Sequence, residues 1–293
     1  MSTQIYRYSD NQMKWKGGIA VFILLFSILT VLGQSKIKLV ILHTNDTHSQ
    51  VEPTDKSSLK TSDMGGYARR MGVINQIRAK EENVLLVDAG DYSQGTPYFN
   101  FLNGRVEIDA MNRMKYDAGT LGNHEFDNGI DTLAVVLRNA KFPMISSNYK
   151  LDHTSLSGLV KPYVVLERSG LRIGILALDV NPVSLIFEKN YKGMEYQDPV
   201  EKANEVSALL KKREKCDVII CLSHLGGDST SKKVNDFEIA RKTRYIDVII
   251  GGHSHSMITN TTVKNAAGKP MVIAQMGKSG LYLGRVELEI KKK

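Results

Sequence analysis

The chain has 293 residues, 42% hydrophobic and 24% charged, the balance of a globular protein long enough to bury a substantial core. Its 39 basic residues outnumber 31 acidic ones for a formal net charge of +8, but they are scattered rather than gathered in a stripe with interleaved aromatics, which argues against nucleic-acid binding. A mildly positive field suits an anionic small molecule instead.

At the N-terminus, Arg7, Lys14 and Lys16 precede an apolar stretch from Ile19 to Leu32, followed by Gly33 and Gln34. At ~1.5 Å per residue this stretch reaches roughly 21 Å, short of a ~30 Å hydrocarbon core. Residues 1–33 therefore read as a signal peptide, with Val31 and Gly33 as the small residues before cleavage, and the protein as exported to a periplasmic or extracellular space. The alternative is an uncleaved anchor formed by residues 19–32, in which case alone the protein meets a membrane. No lipobox cysteine follows the apolar run.

Strand and helix then alternate. A strand at 37–43 runs into Thr44-Asn45-Asp46-Thr47-His48 and a polar loop through Asp63, and Gly65-Gly66 opens a helix over 67–80 with Tyr67, Met71, Ile74 and Ile77 on one face. A strand at 84–88 ends in Gly90-Asp91, followed by a loop through Pro97 and a helix near 105–115. A short strand at 117–121 leads to Gly122-Asn123-His124-Glu125, then a helix near 129–140 and a strand at 144–148, a parallel, crossover-connected pattern. Runs at 163–168 and 171–179 flank Ser169-Gly170 as a hairpin. A helix near 199–214 precedes a strand at 217–223 ending in Ser223-His224, and a helix at 233–243 precedes a strand at 246–251 ending in Gly251-Gly252-His253-Ser254-His255. Strands at 271–275 and 281–290 close the chain. Between them Gly277-Lys278-Ser279 reads as a hairpin turn, because Val272 stands where a phosphate loop needs its first glycine.

Five of these apolar runs end in metal-ligand residue types. Short continuous apolar runs are strands covered on both faces, and open α/β sheets bind ligands at the carboxyl ends of such strands, so the pattern predicts one α/β domain over 34–293 with Asp, Asn and His converging on one edge. Imidazole and carboxylate donors without a cysteine cluster suit Zn, Mn or Fe in an open catalytic site rather than a closed structural one. Asp46 and His48, with one residue between them, point the same way in an extended segment, and His253 and His255 repeat that arrangement. With Asp91, Asn123 and His224 the donors exceed what one tetrahedral ion uses. A two-metal site absorbs the surplus, with a carboxylate bridging ions ~3.5–4 Å apart and a hydroxide between them, suited to in-line displacement at phosphorus.

Other residues carry plainer readings. Cys216 and Cys221, five positions apart in one predicted strand, are on the order of 16 Å apart, beyond the ~7 Å reach of a disulfide. Cys221 reads as a small core residue. His43 and His153 read as surface or satisfied core histidines, and Asp88 as a turn-forming or supporting residue rather than a ligand. Tyr92, Tyr98, Phe99 and Phe101 either contact substrate or pack, packing being the commoner role. Asn260-Thr261-Thr262 is a sequon if the source glycosylates.

Taken in order, Thr44-Asn45-Asp46-Thr47-His48, Gly90-Asp91, Gly122-Asn123-His124-Glu125-Phe126-Asp127, Ser223-His224 and Gly251-Gly252-His253-Ser254-His255 resemble the 5′-nucleotidase branch of the calcineurin-like metallophosphoesterases, from Lys36 to the C-terminus. The resemblance implies a four-layer αββα sandwich in which Asp46, His48, Asp91 and His255 hold one metal, while Asp91 bridges to a second completed by Asn123, His224 and His253. It makes His124 a non-ligand that stabilises the transition state or protonates the leaving alkoxide, oriented by Asp127. Asp127 has the alternative of capping the helix at 129–140. The periplasmic members carry a further C-terminal domain that stacks the base between aromatics and holds the substrate with arginines, and this chain stops just after the metal-site domain. Three expectations follow: a separately encoded partner supplies that domain, this domain acts alone as a less selective phosphatase, or the substrate is not a nucleotide. The leading expectation is an exported, dimetal phosphomonoesterase acting on nucleotides through a metal-bridging hydroxide. The alternatives are a cyclic-nucleotide phosphodiesterase, a nucleotide-sugar hydrolase, or a metal-stabilised docking subunit of a two-chain nucleotidase.

Overall fold

Residues 36–291 are described by the structure, a computed structural model; the signal-peptide reading of residues 1–33 lies outside them. Among the described residues no helix is long and apolar enough to cross a membrane.

The first half builds β1 (Lys36–Thr44), α1 (Tyr67–Arg78), β2 (Val84–Asp88), α2 (Pro97–Leu102), α3 (Arg105–Met114), β3 (Ala118–Thr120), α4 (Ile130–Leu137), β4 (Met144–Ile145), β5 (Tyr149–Lys150) and β6 (Val160–Lys161). The second half adds β7 (Tyr163–Arg168), β8 (Leu171–Leu178), β9 (Glu195–Tyr196), α5 (Pro199–Lys212), β10 (Val218–Ser223), α6 (Asp236–Lys242), β11 (Val248–Gly251), β12 (Met257–Lys264), β13 (Pro270–Met276) and β14 (Gly284–Lys291). One six-stranded sheet has the order β14-β1-β2-β3-β4-β6 and the other β12-β13-β11-β10-β8-β7, while β5 and β9 pair separately. The pairs β1–β2, β2–β3 and β3–β4 are parallel, as are β8–β10, β10–β11 and β11–β13.

Alternation along the strands produces four layers. In β1, Leu39 and Ile41 face inward and join Leu85 and Val87 of β2 against Ile173, Ile175, Ile220, Leu222 and Ile250 of the second sheet. The intervening Val40 and Leu42 turn outward onto Ile74, Ile108, Met111 and Leu133 of α1, α3 and α4. On the second sheet, Leu176, Ile219, Cys221 and Ile249 face Ala203, Val206 and Leu210 of α5 and Ile239 of α6. Strands covered on both faces have no polar side to show, which is why they read as unbroken apolar runs. Each fully buried Leu or Ile stabilises this stack by roughly 1.5–3 kcal/mol of transfer free energy. The expected αββα sandwich is therefore present.

Ser169 and Gly170 join β7 to β8 with φ of 47° and 76°, the mirror-image turn that two-residue hairpins use. Three expectations need correction. The segment from Gly277 is not a hairpin turn, because β13 and β14 belong to different sheets and the chain crosses between them. Cys216 precedes β10 rather than lying within it, though both cysteines are buried and free as expected. His43 is fully buried with neither ring nitrogen partnered, its imidazole held at about 4 by burial, so it is a core histidine but not a satisfied one. Exposed His153 and the packed Tyr92 and Phe99 agree with their readings, whereas Phe101 is 81% exposed.

Candidate metal centre

Three loops from the first sheet and two from the second meet over the strand ends. The loop after β1 is zipped to the loop after β2 by backbone bonds from Asp46 N to Gly90 O (2.9 Å), His48 N to Asp91 O (3.0 Å) and Ser49 N to Tyr92 O (2.9 Å). This registration places Asp46, His48 and Asp91 over one patch. It also holds them in left-handed backbone, with φ of 47°, 46° and 53°, and His253 and His255 share that region at 69° and 54°. Each such residue costs about 1–2 kcal/mol relative to ordinary backbone. Strain of this kind persists only where surrounding bonds over-determine the geometry.

The donor atoms fall into two sets. Asp46, His48 and His255 each offer one atom within 4.8 Å of the others, and so do Asp91, His224 and His253. In the first set His48 Nε2 lies 3.0 Å from His255 Nε2, and His255 Nε2 lies 3.5 Å from Asp46 Oδ1. In the second, His224 Nε2 lies 3.0 Å from Asp91 Oδ2, and Asn123 Oδ1 lies 3.0 Å from His253 Nδ1. His48, Asp91 and His124 also come within 4.8 Å of one another, so Asp91 stands between the sets. All seven residues expected as ligands are thus brought together.

Electrostatics follow from burying this many ionisable groups. Burial raises the Asp46 carboxyl to about 7, with the Asp91 charge adding to the rise. For Asp91 burial pushes upward, but His224 outweighs it and holds the carboxyl well below its ordinary range. Burial works against protonating His224, yet Asp91 and Asp46 overcome that and the imidazole is held well above 6.5. Burial lowers His48 and His253 to about 4.

A cation fits this arrangement for a specific reason. His224 Nδ1 donates to Ala89 O at 2.7 Å, so in the neutral imidazole Nε2 has only a lone pair to turn toward Asp91. That nitrogen is buried and without a hydrogen-bond partner, and it faces a carboxylate oxygen 3.0 Å away. Two acceptors at this separation need a proton or a metal ion between them. Hydrogen-bonding the far ring nitrogen to a carbonyl is also how proteins orient metal-binding histidines.

His124 lies beside these sets with its ring centroid 5.4 Å from that of His48. Its Nδ1 is 2.9 Å from Asp127 Oδ2, and the hydrogen bond to Asp127 outweighs burial to raise the imidazole above its ordinary value. Gly129 occupies the cap position of α4, so Asp127 faces His124 rather than capping the helix. Asp88 takes no place in either set; it accepts from Thr44 Oγ1 (2.6 Å) and Gly90 N (2.9 Å), bracing the turn before Asp91.

Several supporting residues escaped the sequence reading. Buried Glu125 accepts from Asp91 N (2.9 Å), Ser93 N (3.0 Å) and Gly122 N (2.6 Å), tying the β2 loop to the β3 loop. Asn45 donates to Gly277 O (2.8 Å) and accepts from Met276 N (2.9 Å), anchoring the β1 loop to the crossover that replaces the expected hairpin. Gln275 on β13 donates to Gly252 O and accepts from Ser254 Oγ (2.9 Å) and Ser256 N, clamping the loop that carries His253 and His255. A Cβ at Gly122 would overlap the Asp91 carboxylate, and one at Gly252 would lie 2.7 Å from Ala89 O. Glu125 follows His124 directly in the Gly122-Asn123-His124-Glu125 motif and was within reach of the sequence; nothing local marks Gln275.

The sequence profile of the calcineurin-like phosphoesterases matches residues 39–257. The chain belongs to that family. The chain is 34% identical over 272 residues to a snake venom 5′-nucleotidase of Crotalus adamanteus, covering 84% of this chain and 44% of the relative. It is 35% identical over 282 residues to the 5′-nucleotidase of Homo sapiens, covering 86% of this chain and 46% of the relative. The chain thus spans under half the length of these two relatives. Among solved structures, the 5′-nucleotidase precursor of Thermus thermophilus superposes with a TM-score of 0.76 at 33% identity, covering 86% of this chain and 51% of that one. The calcineurin-like phosphoesterase YfkN of Bacillus subtilis gives a TM-score of 0.74 at 29% identity, with 88% and 87% covered.

Proposed function

We propose that this phosphoesterase hydrolyses phosphomonoesters of the nucleotide type at a two-metal site. The observation that carries the reading is the pair of donor sets meeting at Asp91, with the hydrogen-bonded His124–Asp127 pair beside them. Asp46, His48, Asp91 and His255 would hold one cation, and Asp91, Asn123, His224 and His253 the other. Divalent cations supply Lewis-acid neutralisation of phosphoryl oxygens and lower the pKa of attacking water.

The chain's own residues supply the rest. His124, held above its ordinary pKa by Asp127, takes up a proton more readily than a free imidazole and is suited to stabilise or protonate the leaving oxygen. Asp127 fixes the tautomer by accepting from Nδ1, so that Nε2 is the atom left to serve the substrate. Glu125 and Gln275 keep the loops registered while substrate turns over. A docking subunit has no use for such a proton donor. The reading includes export, supported by residues 19–32 and by relatives that include a snake venom enzyme and a nucleotidase precursor.

The test is steady-state hydrolysis of an aryl phosphate and of AMP with added Mn²⁺ or Zn²⁺, comparing the wild type with His124→Ala. A fall in kcat on the order of 10²–10⁴ supports the assignment, and equal rates overturn it.

A further inference from the structure

A cleft of about 740 Å³ opens beside the donor residues and shares His253 and Ser254 with the loop after β11. That is the size of cavity that takes a small organic ligand. Two segments contribute most of its lining. The stretch after β8 brings Asn181 and Leu185, and the loop between β10 and α6 brings Lys232 and Lys233; Tyr196 adds an aromatic ring. The cleft therefore offers apolar and aromatic surface for an organic body and two cations away from the donor sets.

These lysines are otherwise unemployed. Both are exposed, and no salt bridge among the described residues involves either. Asp228, a carboxylate of the same lining, is engaged in its own turn, accepting from Thr230 N (2.9 Å) and Thr230 Oγ1 (2.7 Å). Lys233 lines the same cleft as His253 of the donor loop.

We propose that this cleft receives the portion of the substrate beyond the scissile phosphate, and that Lys232 and Lys233 select phosphoesters carrying a second anionic group such as another phosphate. The assignment rests on the phosphoesterase reading above. A monophosphate commits its strong anion to the donor sets and leaves the lysines without a partner. A diphosphate reaches both. Asp228 repels the second anion and so favours its placement on the lysine side.

AMP and ADP separate the two cases, since scission of the terminal phosphate of ADP leaves the inner phosphate as the second anion. In the Lys232→Ala/Lys233→Ala double variant of the metal-loaded full chain, kcat/KM for ADP falls on the order of tenfold more than for AMP, the worth of two partly screened ion contacts, and the change lies in KM. Calorimetric affinity for a methylene-bridged ADP analogue weakens by a similar factor, and Asp228→Asn tightens it. Equal losses for both nucleotides, a change confined to kcat, or unaltered affinity for the analogue overturns the cleft assignment. A wild type that hydrolyses neither nucleotide nor aryl phosphate would instead overturn the phosphoesterase reading, while the calorimetry still decides the cleft.

Discussion

His224 Nε2 and Asp91 Oδ2 face each other at 3.0 Å where both side chains are buried, with the His224 Nδ1 proton already committed to Ala89 O. The contact is complete only with a positive charge between the two atoms. Without metal that charge is a proton on His224, which couples stability to pH.

The sign follows from several groups together. His224 has a raised pKa, so its contribution is full below 6.5 and is lost as pH climbs toward the folded value. Asp46, Asp179 and Asp236, raised to about 7 by burial, act in the same direction, because the folded chain holds protons that the unfolded chain has released. His43, His48 and His253, lowered to about 4, act oppositely, but their gain tails off above 6.5 as the unfolded imidazoles lose their protons too. The chelated protein should therefore lose thermal stability between pH 6.5 and 8, and saturating Mn²⁺ or Zn²⁺ should raise Tm most at the upper end. A Tm that rises across this window in EDTA contradicts the account.

Asp127→Asn tests the orientation of His124. The hydrogen bond from His124 Nδ1 is the main cause of its raised pKa, so weakening it returns the imidazole toward 6.5. Loss of protonated His124 then begins at lower pH, and the alkaline limb of the kcat profile moves down while kcat at the optimum drops about tenfold or more. An unmoved limb would show that Asp127 has no part in setting that proton.

Gln275→Leu tests the clamp on the β11 loop. Gly252 O keeps its bond from Ser254 N (2.8 Å) and Ser254 Oγ keeps Ser256 Oγ (2.9 Å), but Ser256 N loses its acceptor. One stranded donor costs about 1–3 kcal/mol, readable by urea denaturation. Because His253 and His255 flank the loosened segment, metal affinity measured by calorimetric titration should weaken as well. Unaltered metal affinity in a folded variant would confine Gln275 to a packing role.

Much of this architecture was readable in advance because burial writes itself into composition. β1, β2, β10 and β11 are apolar on both faces, and the polar residues that end them have nowhere to go but the sheet edge. What was missed has physical reasons. Ile258 is the buried residue of β12, an edge strand paired to β13 alone, so it carries no apolar run to detect. The crossover at Gly277 mimics a hairpin turn locally, since positive φ at Gly277 (61°), Ser279 (58°) and Gly280 (56°) serves either purpose, and the sheet each strand joins is a long-range fact. Gln275 meets its partners only after β13 docks beside β11. The strained φ of Asp46, His48 and Asp91 is fixed by the zipper between two loops, a contact between segments more than forty residues apart in the chain.

Glu125 supports the strongest prediction about stability. Its carboxylate accepts three backbone N–H bonds, two at Oε2 from Asp91 and Gly122 and one at Oε1 from Ser93. Glu125→Gln keeps the shape but makes one of those two positions a donor. Placing the amide oxygen toward Asp91 and Gly122 turns the NH₂ against Ser93 N–H, and the opposite orientation confronts two donors instead of one. The variant should lose about 1–3 kcal/mol in urea denaturation, where a conservative exchange on the surface would fall within about 0.5 kcal/mol. It should also bind metal more weakly, because Asp91 and Asn123 sit on the two loops that Glu125 joins. Stability equal to the wild type would mean that water or a neighbouring group satisfies these amides and that the loops register without Glu125.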